Sequence, residues 1–125
     1  MKMAVILLAA AGFIGSALAH AQQYAPNATQ CLREYYDPSN YNWLTFENTC
    51  SQPVYVTLVG RNGTYTGGLD LAPGRHDGPG MSAQEVNAVG GMEAYSCPAH
   101  YVAVDSNDEL IRSVAVTGFR CKRNY

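Results

Sequence analysis

The stretch Pro53-Val54-Tyr55-Val56-Thr57-Leu58-Val59-Gly60 runs from a proline to a glycine, and within it Val54, Val56 and Leu58 alternate with Tyr55, Thr57 and Val59. Alternation with period two over β-branched and aromatic residues is the pattern of a strand with two unlike faces. The segments on either side repeat it. Upstream, Cys31–Tyr36, the turn Asp37-Pro38-Ser39-Asn40 and the run Tyr41–Asn48 read as strand, turn, strand, because proline at the second turn position presets the bend. Downstream, turns at Arg61-Asn62-Gly63, Gly67-Gly68 and Ala72-Pro73-Gly74 separate short extended pieces. Arg75–Gly80, which holds His76, Asp77 and two glycines, reads as an exposed loop.

One helix is expected near Ser82–Val89. Ser82-Ala83-Gln84-Glu85 fits a capping box, and Gly90-Gly91 supplies a left-handed exit. Met92–Cys97 and Tyr101–Asp105 follow as strands, then the polar turn Ser106-Asn107-Asp108, then Leu110–Lys122 as a long bent strand with Gly118 inside it. Short strands between closely spaced turns predict an all-β fold, a small sandwich or barrel carrying one short helix.

The chain opens with Lys2, an apolar run Met3–Ala19 and the small-residue triplets Ala17-Leu18-Ala19 and Ala19-His20-Ala21. This reads as a secretory signal peptide, Met1–Ala21, removed on export. The run is broken by Gly12 and Gly15 and falls short of the roughly 20 residues of a spanning helix. Removing 21 of the 125 residues leaves 104, enough for one domain. Residues 22–30 read as a mobile polar leader without periodicity, and 31–125 as a single disulfide-stabilised β domain. Without Lys2 the charge falls from −2 to −3, which disfavours nucleic acid and anionic lipid as partners. The expected product is a secreted or periplasmic monomer with no cofactor and no attachment to a membrane.

Outside the cytosol, four cysteines read as disulfides. Cys31, Cys50, Cys97 and Cys121 allow three pairings. The sequential one, Cys31–Cys50 with Cys97–Cys121, is expected because each pair brackets a segment resembling a local hairpin; the two crossed pairings are the alternatives. Each bridge closes a loop of some 20 to 25 residues and contributes on the order of 3 kcal/mol. C-x2-C spacing is absent, which argues against structural zinc. Asp105, Asn107 and Glu109 alternate like the start of a calcium loop, but Leu110 stands where that loop needs glycine.

Register provides the candidate site. Leu44 and Phe46 share a face with Val54, Val56 and Leu58 if the two strands form a hairpin pairing Phe46 with Val56 and Leu44 with Leu58. The opposite face then carries Trp43, Thr45, Glu47, Tyr55, Thr57 and Val59. Such an aromatic and polar platform suits a sugar ring or a partner protein; the competing reading buries Trp43, the only tryptophan, as ordinary core. The second candidate is the loop with Arg75, His76 and Asp77.

Phe46-x-Asn48-x-Cys50, Val54-Tyr55 and Leu71-Ala72-Pro73-Gly74 resemble the opening strands of thaumatin-like proteins, and also small exported bacterial proteins of uncharacterised role with an N-x-C strand opening. The resemblance covers Thr45–Gly74. It implies a β-sandwich and transfers no site residue, since the cysteine-rich remainder and acidic cleft signature of thaumatin-like proteins are missing.

Catalytic motifs are absent: there is no G-x-S-x-G, H-E-x-x-H or phosphate loop. A small extracellular nuclease-like hydrolase would have to draw on His76, Glu85 and Arg75, with His100 as a further acid–base candidate. The expected function is a non-catalytic binding module for a protein or glycan, with the small hydrolase and an inhibitor acting through the Arg75–Gly80 loop as alternatives. Sequons at Asn27-Ala28-Thr29 and Asn62-Gly63-Thr64 would accept glycans in a eukaryotic secretory route.

Overall fold

A computed structural model describes residues 23–114 and 118–124. The expected signal peptide lies outside the described residues. Among the described residues, nine strands form three three-stranded antiparallel sheets. A front sheet joins β2 (Leu32–Asp37), β3 (Trp43–Asn48) and β6 (His76–Asp77). A central sheet has the order β5 (Thr66–Leu71), β4 (Val54–Gly60), β7 (Met92–Pro98). A back sheet has the order β1 (Tyr24–Ala25), β9 (Arg120–Arg123), β8 (Tyr101–Val104). The fold is thus all-β with one short helix, α1 (Ala83–Ala88), and two disulfides.

Strand β4 is the centre of the molecule because both of its faces are covered. Val54, Val56 and Leu58 pack with Leu69 and Leu71 against Leu44 and Phe46 of the front sheet. On the other side Val59 joins Tyr95, Cys97, Ala103, Ile111 and Cys121 in a second core beneath the back sheet. The expected β3–β4 hairpin does not form: β3 pairs with β2 and β6, whereas β4 pairs with β5 and β7. Leu44 and Phe46 meet Val54, Val56 and Leu58 face to face across a core rather than side by side in a ladder.

The cause is the corner at Asn48, which is fully buried. Its Nδ2 donates to the carbonyls of Gln52 (2.7 Å) and Leu71 (3.0 Å), and its Oδ1 accepts from the Cys50 amide at 3.0 Å. Backbone groups of the β3–β4 connection and of the end of β5 are satisfied by this side chain. The Cys31–Cys50 bridge holds the corner to the start of β2. The second bridge, Cys97–Cys121, joins the central sheet to the back sheet inside the second core. Both bridges follow the sequential pairing.

Three other expectations change. The 22–30 segment carries structure from Gln23 onward: Tyr24 and Ala25 pair with Lys122 and Cys121, and the Ala28 amide donates to the Ser96 carbonyl at 2.8 Å. Gly67-Gly68 is not a turn but the interior of β5, where the glycines let tyrosine rings cross the strand. A Cβ at Gly68 would lie 2.2 Å from the Tyr55 hydroxyl, and one at Gly67 would lie 2.7 Å from that of Tyr65. Of the long strand expected over Leu110–Lys122, the described part is strand only at Arg120–Arg123, with a single bridge from Leu110 to Val104. The capping box forms as expected, Glu85 Oε1 accepting from the Ser82 amide at 3.2 Å and the Ser82 hydroxyl from the Glu85 amide at 3.3 Å. No helix among the described residues is long and apolar enough to cross a membrane.

Candidate functional site

The front sheet covers the core with Leu44, Phe46 and Asn48, so Trp43, Thr45 and Glu47 point to its outer side. Directly opposed residues of an antiparallel pair share a face. Asp37 therefore stands beside Trp43, Tyr35 beside Thr45, and Arg33 beside Glu47 on the β2 side. His76 flanks Glu47 from β6. The loop candidate and the strand candidate of the sequence thus meet on one surface.

Polar contacts organise this surface. Arg33 Nε donates to Glu47 Oε1 at 2.9 Å, and its guanidinium lies 4.4 Å from the Tyr35 ring centroid. Thr45 is buried, and its hydroxyl donates to the Trp43 carbonyl at 3.0 Å. Trp43 itself is half-buried, so it is neither ordinary core nor fully exposed. Tyr41 leans on it with ring centroids 5.0 Å apart and remains 79% exposed.

That tyrosine is held by an unusual turn. Tyr41 and Asn42 both take positive φ, 57° and 55°. Such a conformation is costly for a bulky side chain and persists only where the surroundings over-determine it. Here the Asp37 carbonyl accepts from the Asn40 and Asn42 amides, at 3.0 and 2.8 Å, and the Asn40 carbonyl accepts from the Trp43 amide at 3.0 Å. Asp37 Oδ1 takes two further bonds, from the Ser39 hydroxyl (2.7 Å) and amide (3.0 Å). The Ser39 hydroxyl and then its amide lower the Asp37 pKa from the ordinary carboxylate value, with the nearby His76 adding to the effect.

Between the turn and β6 lies a depression of about 190 Å³, lined by Asn40, Trp43, Thr45, His76 and Asp77 and floored by Gly78 and Gly80. Gly78 is essential to its shape, because a Cβ there would come 2.0 Å from the Leu44 carbonyl oxygen. The segment after β6 continues along β3, with the Leu44 amide donating to the Met81 carbonyl at 2.8 Å.

Tyr55 and Thr57 do not belong to this surface. They project from the opposite side of the central sheet and line a separate cleft of about 360 Å³ with Thr66, Val102, Leu110 and Arg112. Val59, expected beside them on an open platform, is fully buried beneath the back sheet. Arg75 is exposed but lines no part of the Trp43 depression.

The hydrolase set does not converge. The Glu85 carboxylate is committed to the helix cap, and neither it nor Arg75 lines the depression that holds His76. His76 and Asp77 are successive strand residues, so their side chains leave the backbone toward opposite faces and are not set up to share a proton. His100 sits in the turn between β7 and β8 at φ 72°, its carbonyl accepting from Asn124. Asp105 Oδ1 accepts from the amides of Asn107 (2.8 Å) and Glu109 (3.0 Å), so the calcium-like alternation is a self-bonded turn.

Arg33, Tyr35, Asn40 and Tyr41 escaped the sequence reading. The signal for Arg33 and Tyr35 lies in Arg33-x-Tyr35-x-Asp37, which mirrors Trp43-x-Thr45-x-Glu47 once the intervening turn is treated as a hairpin. No protein-family model, curated protein or solved structure matches the chain.

Proposed function

We propose that this protein is an exported, non-catalytic binding module that holds its partner on the outer face of the front sheet. The observation that carries the reading is the pair Tyr41 and Trp43: a turn with two left-handed non-glycine residues holds an almost fully exposed tyrosine against a half-buried tryptophan. Large stiff rings with polar neighbours are the residues that dominate recognition surfaces. A fold stapled by two disulfides suits an oxidising compartment, which supports the export reading. Against the hydrolase reading stands the separation of its residues, since neither Glu85 nor Arg75 lines the depression that holds His76.

The test is capture of a partner from the native extracellular or periplasmic fluid by the immobilised mature domain. Trp43→Ala should weaken binding by at least about 1 kcal/mol. Tyr55→Ala and His100→Ala should leave it unchanged, since neither residue reaches this face. Hydrolysis of RNA, peptidoglycan or peptide that disappears with His76→Ala would replace the binding reading with the small-hydrolase one.

A further inference from the structure

Building on that binding reading, we infer that the occupant of this face is the terminal ring of an uncharged glycan, seated on Trp43 with Tyr41 at its side. Asn40 and His76 provide its hydrogen bonds.

Area argues first. Three strands about 4.8 Å apart, at most six residues long at about 3.3 Å each, give a face of roughly 300 Å². A ligand of one to three sugar rings fits on a face of that size.

Chemistry argues next. The centre of a protein–protein interface is depleted of charged residues. On this face Arg33, Asp37, Glu47 and His76 are interleaved with the aromatic rings. A pyranose wants both elements: a flat apolar support for its C–H face, and acceptors and donors around its rim for hydroxyls. The depression at Trp43, about 190 Å³, is smaller than the roughly 300–1,000 Å³ of a usual ligand pocket, so it fits one ring. Asn40 and His76, both exposed, line the depression and offer hydrogen-bonding groups to a hydroxyl-bearing ligand.

Charge fixes the class of sugar. Arg33 is neutralised by Glu47, and the remaining fixed charge beside Trp43, that of Asp37, is negative. An acidic or sulfated sugar would be repelled. The left-handed turn positions Tyr41 before any ligand arrives, so little ordering of that ring opposes binding.

Trp43 is the only tryptophan, so its emission reports on this site alone. The folded, disulfide-bonded protein should be titrated with glucose, galactose, mannose, N-acetylglucosamine and their disaccharides, with glucuronate as the charged counterpart. The expected result is a saturable change in Trp43 emission with at least one neutral sugar and none with glucuronate. Calorimetry should then show binding weakened about fivefold or more in Tyr41→Ala and in His76→Ala, both at exposed positions. Silence toward every neutral sugar overturns the glycan inference. If the wild type then still captures a protein that Trp43→Ala releases, the binding-module reading stands without it; loss of both responses removes both. A response to glucuronate equal to that of glucose also overturns the assignment to uncharged sugars.

Discussion

Glu47 and His76 face each other across the β3–β6 ladder, so His76–Asp77, within the Arg75–Gly80 segment, is an edge strand of the same sheet that carries Trp43. This edge can lie so close to β3 because Gly78 has no side chain, since a Cβ there would meet the Leu44 carbonyl oxygen. Gly78→Ala should therefore destabilise the protein by about 1–3 kcal/mol through overpacking, and should shift Trp43 emission as β6 lifts from β3. Urea unfolding followed by fluorescence reads both effects.

Asn48 closes the corner between the front and central sheets with three hydrogen bonds in a site without solvent. Asn48→Ala leaves the carbonyls of Gln52 and Leu71 and the Cys50 amide without that partner. The expected loss is about 2–4 kcal/mol, more than a single net hydrogen bond, because buried groups are stranded. Asn48→Asp should be no better, since a carboxylate cannot donate to either carbonyl. Chemical denaturation of the two variants with both disulfides intact is the measurement.

The two disulfides close loops of similar length, with sequence separations of 19 and 24, so loop entropy alone would make them almost equal. Cys97 and Cys121, however, are both buried in the second core, whereas Cys50 is half-buried. Replacing Cys97 and Cys121 together by alanine should cost about 2–5 kcal/mol and exceed the cost of removing Cys31–Cys50. Thermal unfolding of the two double variants decides it.

Strand β1 is fastened by Asp108, which accepts a 2.7 Å bond from the Tyr24 hydroxyl and pairs with Arg120 and Lys122. The Tyr24 bond, then Arg120 and Lys122, depress the Asp108 pKa, and the same bond to Asp108 raises that of Tyr24. A depressed carboxylate stabilises the fold above its unfolded value near 4, and that contribution is lost as pH falls through the lower folded value. A raised tyrosine stabilises below its unfolded value near 10 and ceases to as pH climbs through the higher folded one. Hydrogen exchange at Tyr24 and Ala25 should accordingly speed up relative to β4 in acid below pH 4 and again above pH 10. In Asp108→Asn the acid transition of β1 should vanish.

The sequence made some parts of this fold plain because they depend on neighbours in the chain. The Ser82–Glu85 cap, the β2–β3 hairpin around Asp37-Pro38 and the alternation of β4 are local, and all three are present. Which strands lie side by side is not local. Val54, Val56, Leu58 and Val59 show that β4 is apolar on both sides, yet a strand covered twice looks the same whichever neighbours cover it. The β3–β4 pairing failed on this point, and Tyr55 and Thr57 were carried with it to the wrong surface. For the site, Trp43, Thr45, Glu47, His76 and Asp77 were legible and come together around β3 and β6. Tyr41 was hidden because nothing in its type announces a left-handed tyrosine; the turn that imposes it depends on the hydrogen bonds of Asp37 and Asn40.

We propose binding on the outer face of the front sheet, without chemistry, and two-dimensional amide NMR of the isotope-labelled domain, recorded with and without the captured partner or a bound sugar, reads this residue by residue. Shift changes should cluster at Tyr35, Asn40–Trp43, Thr45, Glu47 and His76–Gly78, and the partner should be recovered unaltered. Changes centred instead on Tyr55, Thr57, Thr66 and Arg112, or a partner recovered cleaved, would contradict it.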